Sequence, residues 1–173
     1  AEQVLQVRRA IAFLWRNAEK LAVRQDSFDI CGHSTGAHLS AMALSTACAG
    51  EFADVPASVI TSATLISGLY DLEPVATLPQ GRDIGLDSKQ AIEVLSPINR
   101  TPHSQLRLFV AAGEYESAEF QRQSRALAER WAGSTLSCRF EVIPGRDHID
   151  IMDDLQAGNL GKRAVKHAGE LVP

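Results

Sequence analysis

Phe28-Asp29-Ile30-Cys31-Gly32-His33-Ser34-Thr35-Gly36-Ala37-His38 sets a G-x-S-x-G pattern between an apolar run and a helix-forming one. Phe28 to Cys31 reads as a short strand and Gly32 to Gly36 as a sharp turn. Ala37 to about Cys48 reads as a buried helix, because it is Ala, Leu, Met and Ser without Pro or Gly. The pattern alone arises by chance in many chains. Its place after a strand and before a small-residue helix gives it weight. A chain that reverses from strand to helix within a few residues forces the central serine into a strained backbone conformation. Gly32 and Gly36 are expected where a Cβ would collide with neighbouring backbone. Ser34 Oγ then stands at the carboxyl end of a sheet. The Thr35 N–H, at a helix N-terminus, can donate to an oxyanion.

Outward from this turn, helix and strand patterns alternate. Val4, Val7, Ile11, Leu14, Trp15, Ala18, Leu21 and Ala22 recur at three- and four-residue steps, with Arg8, Arg9, Arg16 and Glu19 between them. Val59 to Gly68 is β-branched and mostly uncharged, which suits a strand covered on both faces. Leu69 to Asp87 is irregular, with Pro74, Pro79, Gly81 and Gly85, and is a candidate pocket lip. A short helix over Lys89 to Leu95 stops before Pro97. Leu106 to Ala112 is a strand, Ser117 to Trp131 a helix, and Ser137 to Ile143 the last strand. Asp150 to Leu155 and Lys162 to Ala168 close the chain as short helices. This order predicts an α/β fold with a mostly parallel sheet flanked by helices, in a single domain over 1–173.

An activated serine needs a base. His33 lies inside the turn, its side chain expected to point away from the neighbouring Oγ. His38 sits one helical turn on and is expected to pack or cap. His103 is in a polar loop, and His167 in a charged terminal helix. His148 follows the last strand in Val142-Ile143-Pro144-Gly145-Arg146-Asp147-His148. In a parallel sheet that is the edge that carries Ser34, so His148 is the expected base. The acid that orients it should follow the strand between them, and Gly113-Glu114-Tyr115-Glu116 offers Glu114 and Glu116. Position barely separates the two; Asp71, after the Ile66–Gly68 stretch, is a fallback. The order serine, acid, histidine is that of the α/β-hydrolases.

Composition bounds the function. The chain has 173 residues, 45% hydrophobic and 22% charged, enough apolar material for a core and too much for disorder. Seventeen Lys and Arg against 21 Asp and Glu give a net charge of −4, which opposes nucleic-acid binding. No apolar run approaches the roughly 18 residues of a membrane helix. The three cysteines, Cys31, Cys48 and Cys138, form no CxxC pair. They read as small buried residues in a reducing, cytoplasmic setting, without a structural zinc. Asp147, Asp150, Asp153 and Asp154 match no calcium loop and read as solvated surface. Trp15 and Trp131 read as packing residues.

Gly32-His33-Ser34-Thr35-Gly36-Ala37-His38-Leu39, Ile66-Ser67-Gly68-Leu69-Tyr70-Asp71-Leu72 and the stretch from Gly113 to Ser124 together resemble the arylformamidase (kynurenine formamidase) and esterase branch of the α/β-hydrolases. Asp147-His148-Ile149-Asp150 resembles that branch's histidine loop. The resemblance implies that the acid lies three residues before the Glu of the Glu119-Phe120 pair, which favours Glu116 over Glu114. It implies no metal or organic cofactor and a small-molecule ester or formamide substrate. The family's His-Gly-Gly type loop, source of a second oxyanion N–H, has no match here. The expectation is that the Cys31 strand is an exposed edge, covered by a further N-terminal segment or a second chain. Two functions compete: a serine hydrolase working through an acyl-enzyme, and a non-catalytic relative that binds a ligand or partner.

Overall fold

The computed structural model describes residues 2–45, 50–79, 81 and 85–169. Four parallel strands, β1 (Phe28–His33), β2 (Ile60–Ile66), β3 (Arg107–Gly113) and β4 (Ser137–Ile143), pair in the order β1-β2-β3-β4. The helices are α1 (Glu2–Arg16), α2 (Thr35–Leu44), α3 (Glu73–Ala76), α4 (Lys89–Leu95), α5 (Ala118–Ala132), α6 (Ile151–Ala157) and α7 (Asn159–Gly169). Sequential parallel strands need crossovers that return the chain to the same sheet end. All three loops that follow β1, β3 and β4 therefore open on one edge.

Alternation along the strands sorts the core into two layers. Ala63, Leu65, Leu108 and Val110 face α2 and α5, where Ala37, Ala41, Leu127, Ala128 and Trp131 meet them. Ile66, Phe109, Ala111 and Ile143 face the other way, onto Ile151, Leu160 and Ala164 of the α6–α7 pair. Trp131 is fully buried and donates its Nε1–H to the Arg100 carbonyl at 2.9 Å. Trp131→Ala should cost about 3–5 kcal/mol, read as a fall in the urea midpoint at constant slope.

Several expectations need correction. The first helix ends at Arg16, not at Ala22. Past it the N–H of Ala18 reaches the Trp15 carbonyl, that of Ala22 reaches Glu19, and Ala22 takes φ 53°. Leu14 and Leu21, placed on its apolar stripe, are exposed, whereas Arg8 is buried with its guanidinium 4.2 Å from the centre of the Phe52 ring. Cys31 is exposed rather than buried. Phe28 and Ile30 of β1 pack toward the α2 side, while α7 covers β2 and β3 on the other. Asp29 and Cys31 point to that second face, beyond the helix's reach. Cys138 is half-buried, and Cys48, with the end of the predicted second helix, lies outside the described residues. The Leu69–Asp87 stretch holds the short α3, and part of it is also outside the described residues. Among the described residues β1 has a strand on one side only. No helix among them is long and apolar enough to cross a membrane.

Candidate active site

Ser34 occupies the tight junction between β1 and α2. Its φ of 54° is positive, a conformation that L residues rarely adopt. The junction is held on both sides. The Ser34 N–H donates to the Ile66 carbonyl at 2.9 Å, and the Ser34 carbonyl accepts from Ala37 and His38 at 3.0 and 3.2 Å. Gly32 is required here, since a Cβ would stand 2.4 Å from the Gly36 carbonyl oxygen. Gly36 is not: a Cβ there meets nothing within 4 Å, so only one of the two expected glycines makes room for the turn. Thr35 is the first residue of α2, and its N–H belongs to the helix's opening turn, where amides lack an intrahelical acceptor.

His148 comes off β4 through Pro144–Gly145, with Gly145 at φ 70°. The loop is shaped by its own acids. Asp147 Oδ1 accepts the N–H groups of Ile149 and Asp150 at 2.8 and 2.9 Å, and Asp150 Oδ1 accepts that of Asp147 at 2.6 Å. Asp154 takes Arg146 on one oxygen and the Leu160 N–H on the other. These carboxylates are turn and cap residues. Reading them as merely solvated missed that short acids in a loop compete for backbone N–H groups. Among the described residues no group of three or more His, Cys, Asp or Glu could hold a metal ion.

Three sequence-predicted residues meet at the sheet's carboxyl edge. His148 Nε2 lies 3.0 Å from Ser34 Oγ, and His148 Nδ1 lies 3.0 Å from Glu116 Oε1. The Glu116 side chain is fully buried and that of His148 is 29% exposed. With a carboxylate on Nδ1, that nitrogen carries the proton and donates it, which leaves Nε2 to accept from the serine hydroxyl. The imidazole is also gripped between two rings, Phe120 at 4.5 Å and His33 at 4.7 Å between centroids. His33, expected to point away from the Ser34 Oγ, thus lays its ring against that of the base. Burial, and then the neighbouring His148, hold its pKa below the ordinary histidine value.

The other candidates are placed elsewhere. Glu114 Oε2 accepts the Gly145 N–H at 2.7 Å, so this acid braces the histidine loop rather than the imidazole. Asp71 pairs with Arg122 at 3.0 Å. His38 Nδ1 sits 2.7 Å from the Leu69 carbonyl and His103 Nε2 2.9 Å from that of Ile60. His167 is buried 6.0 Å from the Phe109 ring. Beside the serine turn, Thr35, His38 and Leu39 line a cleft of about 190 Å³ with Leu69, Leu72, Leu86 and Leu95. Sequence reasoning missed Phe120 and His33 as walls for the base. The spacing of Phe120 one turn into the helix after the acid was the available signal.

A parallel sheet with serine, acid and histidine converging at its carboxyl edge defines an α/β-hydrolase fold. Solved structures agree: a truncated carbohydrate esterase from gut microbiota superposes with a TM-score of 0.74 at 18% identity, over 96% of this chain and 68% of its own. The chain belongs to the BD-FAE family, whose model matches residues 1–131. It is 29% identical over 175 residues to a kynurenine formamidase of Danio rerio, covering 96% of this chain and 57% of that enzyme. It is 27% identical over 172 residues to the esterase LipC of Mycobacterium tuberculosis, covering 90% of this chain and 43% of that protein. The chain thus spans about half the length of the relatives it matches.

Proposed function

We propose that this chain is a serine hydrolase that cleaves carboxylic esters or aryl formamides through an acyl-enzyme. The observation that carries the reading is the continuous relay Ser34 Oγ, His148, Glu116, with both contacts at 3.0 Å. Ser34 attacks the carbonyl carbon while His148 Nε2 takes its proton. Glu116 holds the imidazole in the right tautomer and stabilises the cation that forms. The tetrahedral oxyanion takes the Thr35 N–H. His148 then returns its proton to the departing alcohol or amine, and water, deprotonated by the same nitrogen, releases the acid. Esters and formamides share the attacked carbonyl and differ in the leaving group, so one centre serves both. The kinship with a formamidase and an esterase supports this breadth.

No cofactor enters these steps. The proposed setting is the cytoplasm, in keeping with free thiols at Cys31 and Cys138.

The test is covalent labelling by a fluorophosphonate, followed by intact mass. The chain should gain one adduct, and Ser34→Ala should gain none. An unlabelled parent chain, or a label that survives Ser34→Ala, overturns the assignment and leaves the non-catalytic binding reading.

A further inference from the structure

Phe120 is an aromatic residue that the core does not use. It is half-buried, and among the described residues neither apolar layer of the sheet includes it. Its ring lies on the base instead, with centroids 4.5 Å apart and planes inclined by 37°. That spacing is too short for an approach in the plane of the phenyl, and the tilt is too shallow for a T-shaped pair. The His148 imidazole therefore overlies the phenyl face, where the ring's quadrupole is negative.

The fold delivers this face together with the acid. α5 begins two residues after Glu116, so Glu116 and Phe120 lie on one short stretch of chain. In it the Phe120 N–H reaches the Ser117 carbonyl at 3.1 Å. Gln121 ties the same turn back to the end of β3, donating to the Gly113 and Glu114 carbonyls at 3.1 and 2.9 Å. Gln123, fully buried, accepts the N–H groups of Tyr70 and Asp71 at 2.7 and 2.9 Å, which fastens the helix to the chain after β2. Glu116 thus meets the imidazole at Nδ1 while Phe120 meets its face.

We propose that Phe120 is a positioning residue with an electrostatic role: its π face stabilises the imidazolium that His148 becomes on taking the Ser34 proton. The inference rests on the reading of Ser34, His148 and Glu116 as the reacting relay. As Oγ attacks, its O–H bond breaks, an N–H bond forms at Nε2, and positive charge spreads over the ring. A cation within about 6 Å of an aromatic centroid is drawn to the face. The imidazole sits well inside that limit. His33, the other ring against the base, does not compete for the charge, because burial pushes its pKa down.

Fluorination withdraws charge from the phenyl face with little change in ring size. Fluorophosphonate labelling of Ser34 is therefore followed against pH with 4-fluoro-, 3,5-difluoro- and 3,4,5-trifluorophenylalanine at position 120, and in Phe120→Leu. At neutral pH the rate should fall stepwise along the series, to about a fifth with three fluorines or with leucine. The other groups around the imidazole stay the same throughout. They are Glu116 on Nδ1, His33 on the ring, Asp147 and Asp150 in its own loop, Glu114 on the Gly145 N–H and the Glu119–Arg122 pair on α5. Glu116 and His148 titrate as a pair. Loss of the face weakens the protonated form, so the acidic limb should move to lower pH by about half a unit. The rates then converge in acid. A steric wall alone would leave rate and limb flat across the series, and that result overturns the inference. A rate that falls while the limb stays fixed also overturns it, as does a leucine variant that labels like the parent. If Phe120→Leu fails to fold, the fluorinated series decides. A parent chain that takes no label removes the relay itself and this inference with it. A parent that labels normally while the series stays flat removes only the role of Phe120.

Discussion

His148→Ala should lower the rate at which Ser34 takes a fluorophosphonate by about 10⁴-fold or more, since the members of such a relay act as a unit. The loss follows from the geometry. Ser34 Oγ has its proton acceptor at 3.0 Å in His148 Nε2, and alanine leaves the hydroxyl with nothing to receive the proton as attack begins. His33 is the nearby ring that could substitute, and it is built not to. Burial lowers its pKa and with it its strength as a base, and its Nε2 is enclosed without a partner among the described residues. Labelling time courses at neutral pH, with circular dichroism to confirm the fold, decide the matter. A rate within tenfold of the parent would mean that another group takes the proton.

Gly32→Ala should disable the site by a different route. The added Cβ would stand 2.4 Å from the Gly36 carbonyl oxygen, 2.5 Å from its carbon and 2.7 Å from the Ala37 nitrogen. All three atoms are backbone in the first turn of α2, so no side chain can swing aside. Either the helix backs away or the turn opens, at a cost of about 1–3 kcal/mol for overpacking. A displacement of an ångström at Ser34 is worth about 10²-fold in rate. Gly36→Ala is the matched control, because its Cβ would meet nothing within 4 Å. The expected pattern is a lowered melting temperature and lost labelling for Gly32→Ala, with labelling retained for Gly36→Ala. Equal behaviour of the two variants would mean that the turn is not held by this contact.

The sheet was legible in the sequence because its strands are short, mostly uncharged runs bounded by turn residues, as in the β-branched Ile60–Ile66 and the apolar Leu108–Ala112. The serine turn was legible because its spacing answers a local steric problem. Where Glu114 and Glu116 competed, position alone was silent, and the resemblance favoured the residue that the fold sets against His148. Two carboxylates two residues apart differ in direction only once the loop has a shape, and that shape depends on the Tyr115 N–H reaching the Arg146 carbonyl, in the loop after β4, at 2.9 Å. Arg8 and Cys31 were misjudged for a related reason. An arginine is buried when an aromatic face awaits it, here Phe52, and a cysteine is exposed when, among the described residues, no helix packs on its side of the strand. Neither condition is written near the residue in sequence. Gln123 and Tyr70 show the same limit. A glutamine beside a helix stripe does not announce which distant amides it will receive.

The hydrogen bonding of the sheet does not stop where its strands end. The N–H of Ser34 reaches Ile66, that of Ser67 reaches Ala111 and that of Glu114 reaches Ile143, so each strand's first loop residue is fastened to the last rung of its neighbour. The reacting groups are therefore indexed from the sheet, while the chain that runs on past Leu72 and returns at Leu106 lies beyond those rungs. Evolution can lengthen, shorten or rewrite that excursion, and with it the walls of the leucine-lined cleft, without retuning the relay. Reactivity and selectivity become separately heritable, which lets one catalytic frame diversify in substrate while its chemistry stays constant.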